Sequence, residues 1–175
     1  MNKGINRALL HGYERVLFEH SNDKGRCIFI SHKSEDKPAA FAIADVLMNA
    51  GIDVFIDVND SELQDATRNS DSWSIVNVID RAMEVSTDIL VIISENTKKS
   101  WWVPYEIGYS KRGNINITSL VLKNVEGIPE YITIEPIIHS IGELDKYIAS
   151  KRKYGTLFES KANIDDERLF SFLNA

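Results

Sequence analysis

Apolar residues change their spacing several times along this chain, and each change marks an element. "CIFIS" at 27–31 is a short unbroken apolar run rich in β-branched and aromatic residues, the pattern of a strand buried on both faces. Pro38 suits a helix first turn, and Phe41, Ala44, Leu47 and Met48 form a helical stripe that stops at Gly51. "DVFID" at 53–57 predicts a second strand, followed by a polar segment from 58 to 71 with no core pattern. Ile75, Val78, Ile79, Ala82 and Met83 recur at three- and four-residue steps, which predicts an amphipathic helix. "DILVIIS" at 88–94 predicts the most deeply buried strand, "SWWVPYEIGYS" a helix ending near Gly113, and "TSLVLK" at 118–123 a fourth strand.

The two ends are less regular. Ile5, Leu9, Tyr13, Val16 and Leu17 share one helical face, so 5–20 is expected to be a helix laid on the core or a partner, with 22–25 as a turn. Residues 132–139 predict a fifth, peripheral strand interrupted by Pro136. Ser140 and Glu143 form a capping box for a helix running to 151, and 165–173 predicts a final short helix. Strands alternating with amphipathic helices imply a parallel sheet covered on both faces. In such sheets ligands bind beyond the carboxyl ends of the strands. "SHKSED", the loop after Asp57 and "SENTKKSWW" are therefore expected to gather on one edge.

Composition narrows the function classes. At 175 residues and 43% hydrophobic content, the chain can bury one proper core and not two large domains. A net charge of −6 leaves no basic field to attract nucleic acid, and the short runs Lys98–Lys99 and 151–153 read as solvated surface. The single cysteine, Cys27, excludes an intrachain disulfide and a thiolate zinc site, and it points to a reduced compartment. His11, His20 and His139 lack metal-ligand spacing, so no metal is expected. The longest strongly apolar stretch, 89–93, is far shorter than the roughly 20 residues that span a bilayer. With no signal-peptide pattern in the first residues, a cytoplasmic protein is expected, with neither membrane nor nucleic acid as partner.

Two segments carry chemistry. "SHKSEDK" at 31–37 supplies hydroxyls, an imidazole and backbone N–H groups beside a helix N-terminus, a ready anion site. It matches neither a P-loop nor GxGxxG, and it reads equally well as a loop leading into a helix, with Ser34 or Asp36 as cap. Trp102 and Glu106 stand four apart on one helical face, bordered by Tyr105. An aromatic wall beside a carboxylate suits a ligand carrying a flat ring and a sugar. The alternative is two packing tryptophans and a surface acid favoured by the helix dipole. No GxSxG elbow is present.

"CIFISHKSEDK" closely resembles the first strand and following loop of Toll/interleukin-1 receptor (TIR) domains. "DVFID" is similar to their second strand, 58–71 occupies the place of their BB loop, and "SWWVPYEIG" resembles their helix-C motif, a tryptophan four residues before a glutamate. The resemblance implies a flavodoxin-like α/β fold, with a central parallel sheet of about five strands and helices on both faces. It divides the chain into an N-terminal helical extension (1–25), a TIR domain (26–155) and a tail with a short helix (156–175). Many bacterial and plant members cleave the nicotinamide–ribose bond of NAD through a helix-C glutamate. Matched residue by residue, Glu106 is then catalytic, Trp102 with Tyr105 contacts a ring, and Ser31, His32 and Asp57 line the nucleotide cleft. NAD is substrate, and no separate cofactor is implied.

The chemistry is consistent with a lone acid. Nicotinamide leaves neutral from a pyridinium, so the group to stabilise is an oxocarbenium-like ribose, which one positioned carboxylate serves. Likeness to stand-alone bacterial TIR proteins, notably those of Thoeris antiphage defence, implies a product such as ADP-ribose or a cyclised form that signals to a separate effector. It also implies self-association through TIR surfaces. Two other readings stand beside this one. One is a non-catalytic TIR interaction module working through its BB loop. The other is a nucleoside 2-deoxyribosyltransferase, which "YEIGYS" also resembles.

Overall fold

A computed structural model describes residues 3–10, 25–56, 72–152 and 166–174 of the chain. Five strands, β1 (Cys27–Ser31), β2 (Asp53–Phe55), β3 (Asp88–Ile93), β4 (Asn116–Val121) and β5 (Ile137–Ile138), form one sheet in the order β2-β1-β3-β4-β5. Every pairing is parallel. The helices are α1 (Lys37–Asn49), α2 (Ser72–Glu84), α3 (Trp102–Arg112), α4 (Ile141–Lys151) and the short α5 (Leu169–Phe172).

The strict two-residue alternation of a strand sorts the apolar runs between two cores. Ile28, Ile30, Leu90 and Ile92 pack with Ile43 and Leu47 of α1, Leu144 and Ile148 of α4, and Leu169 of α5. Cys27, Phe29, Ile89, Val91 and Ile93 point the other way, onto Ile79, Ala82 and Met83 of α2 and Val103 and Ile107 of α3. This explains why β1 and β3 are apolar at successive positions: both faces are covered. The expected flavodoxin-like architecture is present.

Chain direction splits between β1 and β3. From β1 the chain passes through α1 to β2 at the sheet edge. After β2 it returns over the opposite face to β3, which pairs with β1 in the register Ser31↔Val91. Loops leaving the carboxyl ends of β1 and β3 therefore diverge, one into α1 on one face and one into α3 on the other. A crevice opens there in folds of this strand order.

Several local expectations hold. Pro38 lies in the first turn of α1, where its missing N–H has no helical partner to lose. Gly51, at φ 80°, turns the chain out of α1. Ser140 accepts from Glu143 N at 3.3 Å, while the Glu143 carboxylate receives the N–H of His139 at 2.6 Å, so the return bond of the expected box sits one residue early.

Other expectations change. The helix predicted from residue 5 is absent at its start: residues 3–10 form an extended strap with a 3-10 turn at Arg7–Leu9. Asn6 bridges Val54 in parallel, and its amide both donates to Ile56 O (2.9 Å) and accepts from Ile56 N (3.1 Å). Buried Arg7 binds Asp53 at 2.9 Å and Val85 O at 2.7 Å. The open hydrogen-bonding edge of β2 outcompetes helix formation here, since an edge strand offers unpaired N–H and C=O groups. Residues 11–20 of that predicted helix, Asp57, the polar loop 58–71 and residue 165 lie outside the described residues. The predicted fifth strand shrinks to Ile137–Ile138, with a 3-10 turn at Glu130–Ile132 before it, because Pro136 cannot donate to a ladder.

Candidate active site

β1 ends at Ser31, which is 1% exposed, and its hydroxyl donates to Glu106 Oε2. Glu106 lies in the second turn of α3 and is only 9% exposed. Burial pushes its carboxyl up from an ordinary 4.5 to about 7, against the opposing pull of the Ser31 hydrogen bond. The carboxyl therefore points inward, to the end of β1, and is not a surface acid.

α3 is built to hold that placement. Ser100 Oγ accepts from the backbone N–H groups of Trp102 (3.2 Å) and Val103 (3.4 Å), capping the helix. Pro104 then falls in the first turn, where no helical hydrogen bond is lost. Val103 and Ile107 are buried against the sheet, which fixes the rotation of the helix. The paired tryptophans separate cleanly. Trp101 is 91% exposed, whereas Trp102 is half-buried, packs on the apolar cluster of that face and meets the edge of Tyr105 at 6.0 Å. Tyr105 is exposed and stacks obliquely on Tyr109 at 6.3 Å.

Of the other expected site residues, His32 follows Ser31 at the rim. Its Nδ1 lies 3.0 Å from Ile30 O, a geometry in which the ring nitrogen donates to the carbonyl. Asp57 is outside the described residues. The structure thus brings together Ser31 and Glu106 in direct contact, with Trp102 four residues before Glu106 on α3 and His32 next to Ser31.

One constellation escaped the sequence reading. Asp36 occupies the expected N-cap position of α1, but its side chain makes no capping hydrogen bond. Its carboxylate reaches the loop after β3, accepting from Ser94 Oγ at 2.5 Å and Asn96 Nδ2 at 2.8 Å. Ser94 and Thr97 are also locked together: Ser94 N donates to Thr97 Oγ1 at 2.6 Å, and Ser94 Oγ accepts from Thr97 N at 3.1 Å. The Ser-x-x-Thr spacing directly after a strand was the available signal, since such hydroxyls close local turns.

These features define an α/β domain that presents a buried glutamate, Glu106, at the switch point of a parallel sheet, the position where such folds bind nucleotides. No group of three or more metal-ligating side chains occurs among the described residues, and none of their helices is long and apolar enough to cross a membrane. The chain belongs to the TIR-domain family, whose family model matches residues 28–151. It is also similar to the "Probable 3' cyclic ADP-D-ribose synthase ThsB'" of Bacillus cereus (strain MSX-D12). That relative is 24% identical over 136 residues, which cover 77% of this chain and 61% of the relative.

Proposed function

We propose that this protein is a TIR-domain enzyme that cleaves the nicotinamide–ribose bond of NAD, with Glu106 as the catalytic residue. The observation that carries the reading is the placement of Glu106: buried, aimed at the end of β1 and bonded to Ser31. In the reaction the C1′–N1 bond breaks and its electron pair stays on the ring nitrogen, so nicotinamide departs neutral. The ribose becomes an oxocarbenium ion. A carboxylate held in a poorly solvated site stabilises that cation more strongly than the ground state, which is the condition for catalysis. The half-buried Trp102 ring, with Tyr105 at its edge, offers a face for a planar base. His32 and Asp57 are assigned to the nucleotide cleft, and Ser31 to support of the carboxylate from beneath.

Water as acceptor gives ADP-ribose, and an internal ribose or adenine atom gives a cyclic product. The relative's name, a probable 3' cyclic ADP-D-ribose synthase, supports the cyclic product. A role in antiphage signalling, in which the nucleotide reaches a separate effector, is part of the same proposal. Self-association through TIR surfaces and a cytoplasmic location complete the reading. The test is incubation of concentrated protein with NAD, followed by mass analysis of the products. The expected result is release of nicotinamide with ADP-ribose or its cyclic isomer. Glu106→Gln, which keeps the size of the side chain and an acceptor for Ser31, is expected to remain folded and lose at least about a hundredfold in rate. A folded Glu106→Gln with full activity would reject the assignment.

A further inference from the structure

Two ties join the end of β1 and its following loop to the segment that follows β3. One is Ser31 to Glu106, which holds the acid. The other is Asp36 to Ser94 and Asn96, and it holds the loop that leads to Trp102. We infer that Asp36 is a positioning residue: its clasp on Ser94 and Asn96 seats the Trp102 ring and thereby sets affinity for the planar base of the substrate. The inference rests on the proposed NAD-cleaving reading.

The hydrogen-bond directions leave little choice. Ser94 Oγ receives the N–H groups of Asn96 (3.0 Å) and Thr97 (3.1 Å), which occupy its lone pairs. Its single proton must therefore go outward, and Asp36 Oδ2 takes it at 2.5 Å. Asp36 Oδ1 takes the Asn96 amide. The carboxylate is 8% exposed, so water competes poorly with either bond. From Asn96 the chain runs through the 3-10 turn Thr97–Lys99 to Ser100, the cap of α3, and Trp102 opens the helix. A shift in this loop moves the helix start and the ring it carries. Glu106, one turn further on, keeps its separate tie to β1.

The two ties therefore have different kinetic signatures. Removing the clasp weakens ring binding and leaves the acid in place. Asp36→Ala is expected to raise KM for NAD about tenfold with kcat within about twofold of wild type. Ser94→Ala, which removes one of the two bonds, is expected to raise KM by a smaller factor in the same direction, and it serves if Asp36→Ala does not fold. The exchange Asp36→Asn with Asn96→Asp rebuilds the contact with donor and acceptor reversed, and it is expected to bring KM back toward wild type. A merely structural role for Asp36 predicts parallel loss of active protein, with KM unchanged. That result, or failure of the exchange to restore KM in a folded protein, overturns the inference while the NAD reading stands. A wild-type chain inert toward NAD at every concentration overturns both.

Discussion

Ser31 and Glu106 are 75 positions apart in sequence, yet the Ser31 hydroxyl donates directly to the Glu106 carboxyl at the meeting of β1 and α3. The contact joins the two segments between which the chain direction splits. It also confines the acid to one orientation, since Glu106 has lost nearly all contact with water.

Activity should rise with pH through neutrality. Glu106 is held near 7 by burial, and only its ionised form stabilises a ribose cation. The expected pH profile of kcat/KM, which reports the free enzyme, has an acid limb with a midpoint about 7. A limb near 4.5 would show a carboxylate that is solvated in the working enzyme.

Stability should move the opposite way. Between 4.5 and about 7 the folded chain holds a proton on Glu106 that the unfolded chain has released, so stability falls as pH rises through this window. The effect is at most about 3 kcal/mol. Thermal melts of the wild type and Glu106→Gln from pH 5 to 8 should converge at the low end, with the variant the more stable at the high end.

Ser31→Ala removes the one hydrogen bond that favours the charged acid. The acid limb is then expected to move above its wild-type midpoint and kcat/KM to fall roughly tenfold or more at pH 7. Ser31→Thr, which keeps the hydroxyl, is expected to retain the wild-type midpoint. A Ser31→Ala profile superimposable on wild type would remove Ser31 from the site.

The tryptophans should part company. Trp102→Ala is expected to raise KM for NAD by roughly tenfold, in line with the loss of one stacking ring. Trp101→Ala should stay within about twofold, because the Trp101 ring stands in solvent. Steady-state kinetics on both variants decide it, and the reverse ranking would shift the register of ring contact by one residue.

Gly4 tests the strap. A Cβ at this position would lie 2.1 Å from Ile52 O, so Gly4→Ala forces the strap off the edge of β2. Loss of the buried Arg7–Asp53 pair and the Asn6–Ile56 amide pairing should follow, at about 1–3 kcal/mol. Hydrogen exchange at Val54 and Ile56, whose amides donate to Ile5 O and Asn6 Oδ1, should accelerate.

How much of this was legible depends on the range of the interaction. The long helices and the strands β1, β3 and β4 could be read from spacing, because burial on both faces of a sheet or one face of a helix writes a local period into the chain. Residues 3–10 could not. Ile5 and Leu9 share a helical period, but both are exposed, and the segment follows the open edge of β2. Asp36 was legible as the residue that caps α1 by position, but its side-chain partners, some sixty positions away, were not.

Local pattern in the chain encoded the long helices, strands β1, β3 and β4, the alternation that demands a parallel sheet, and the carboxylate set among rings on α3. The inward turn of Glu106 to Ser31, the packing of Trp102 and not Trp101, and the tie that Asp36 makes between two loops arise from the folded arrangement. The reason is physical. Periodicity reports which face of an element leaves water, whereas a hydrogen bond between loops depends on strand order and register, and no local pattern encodes those.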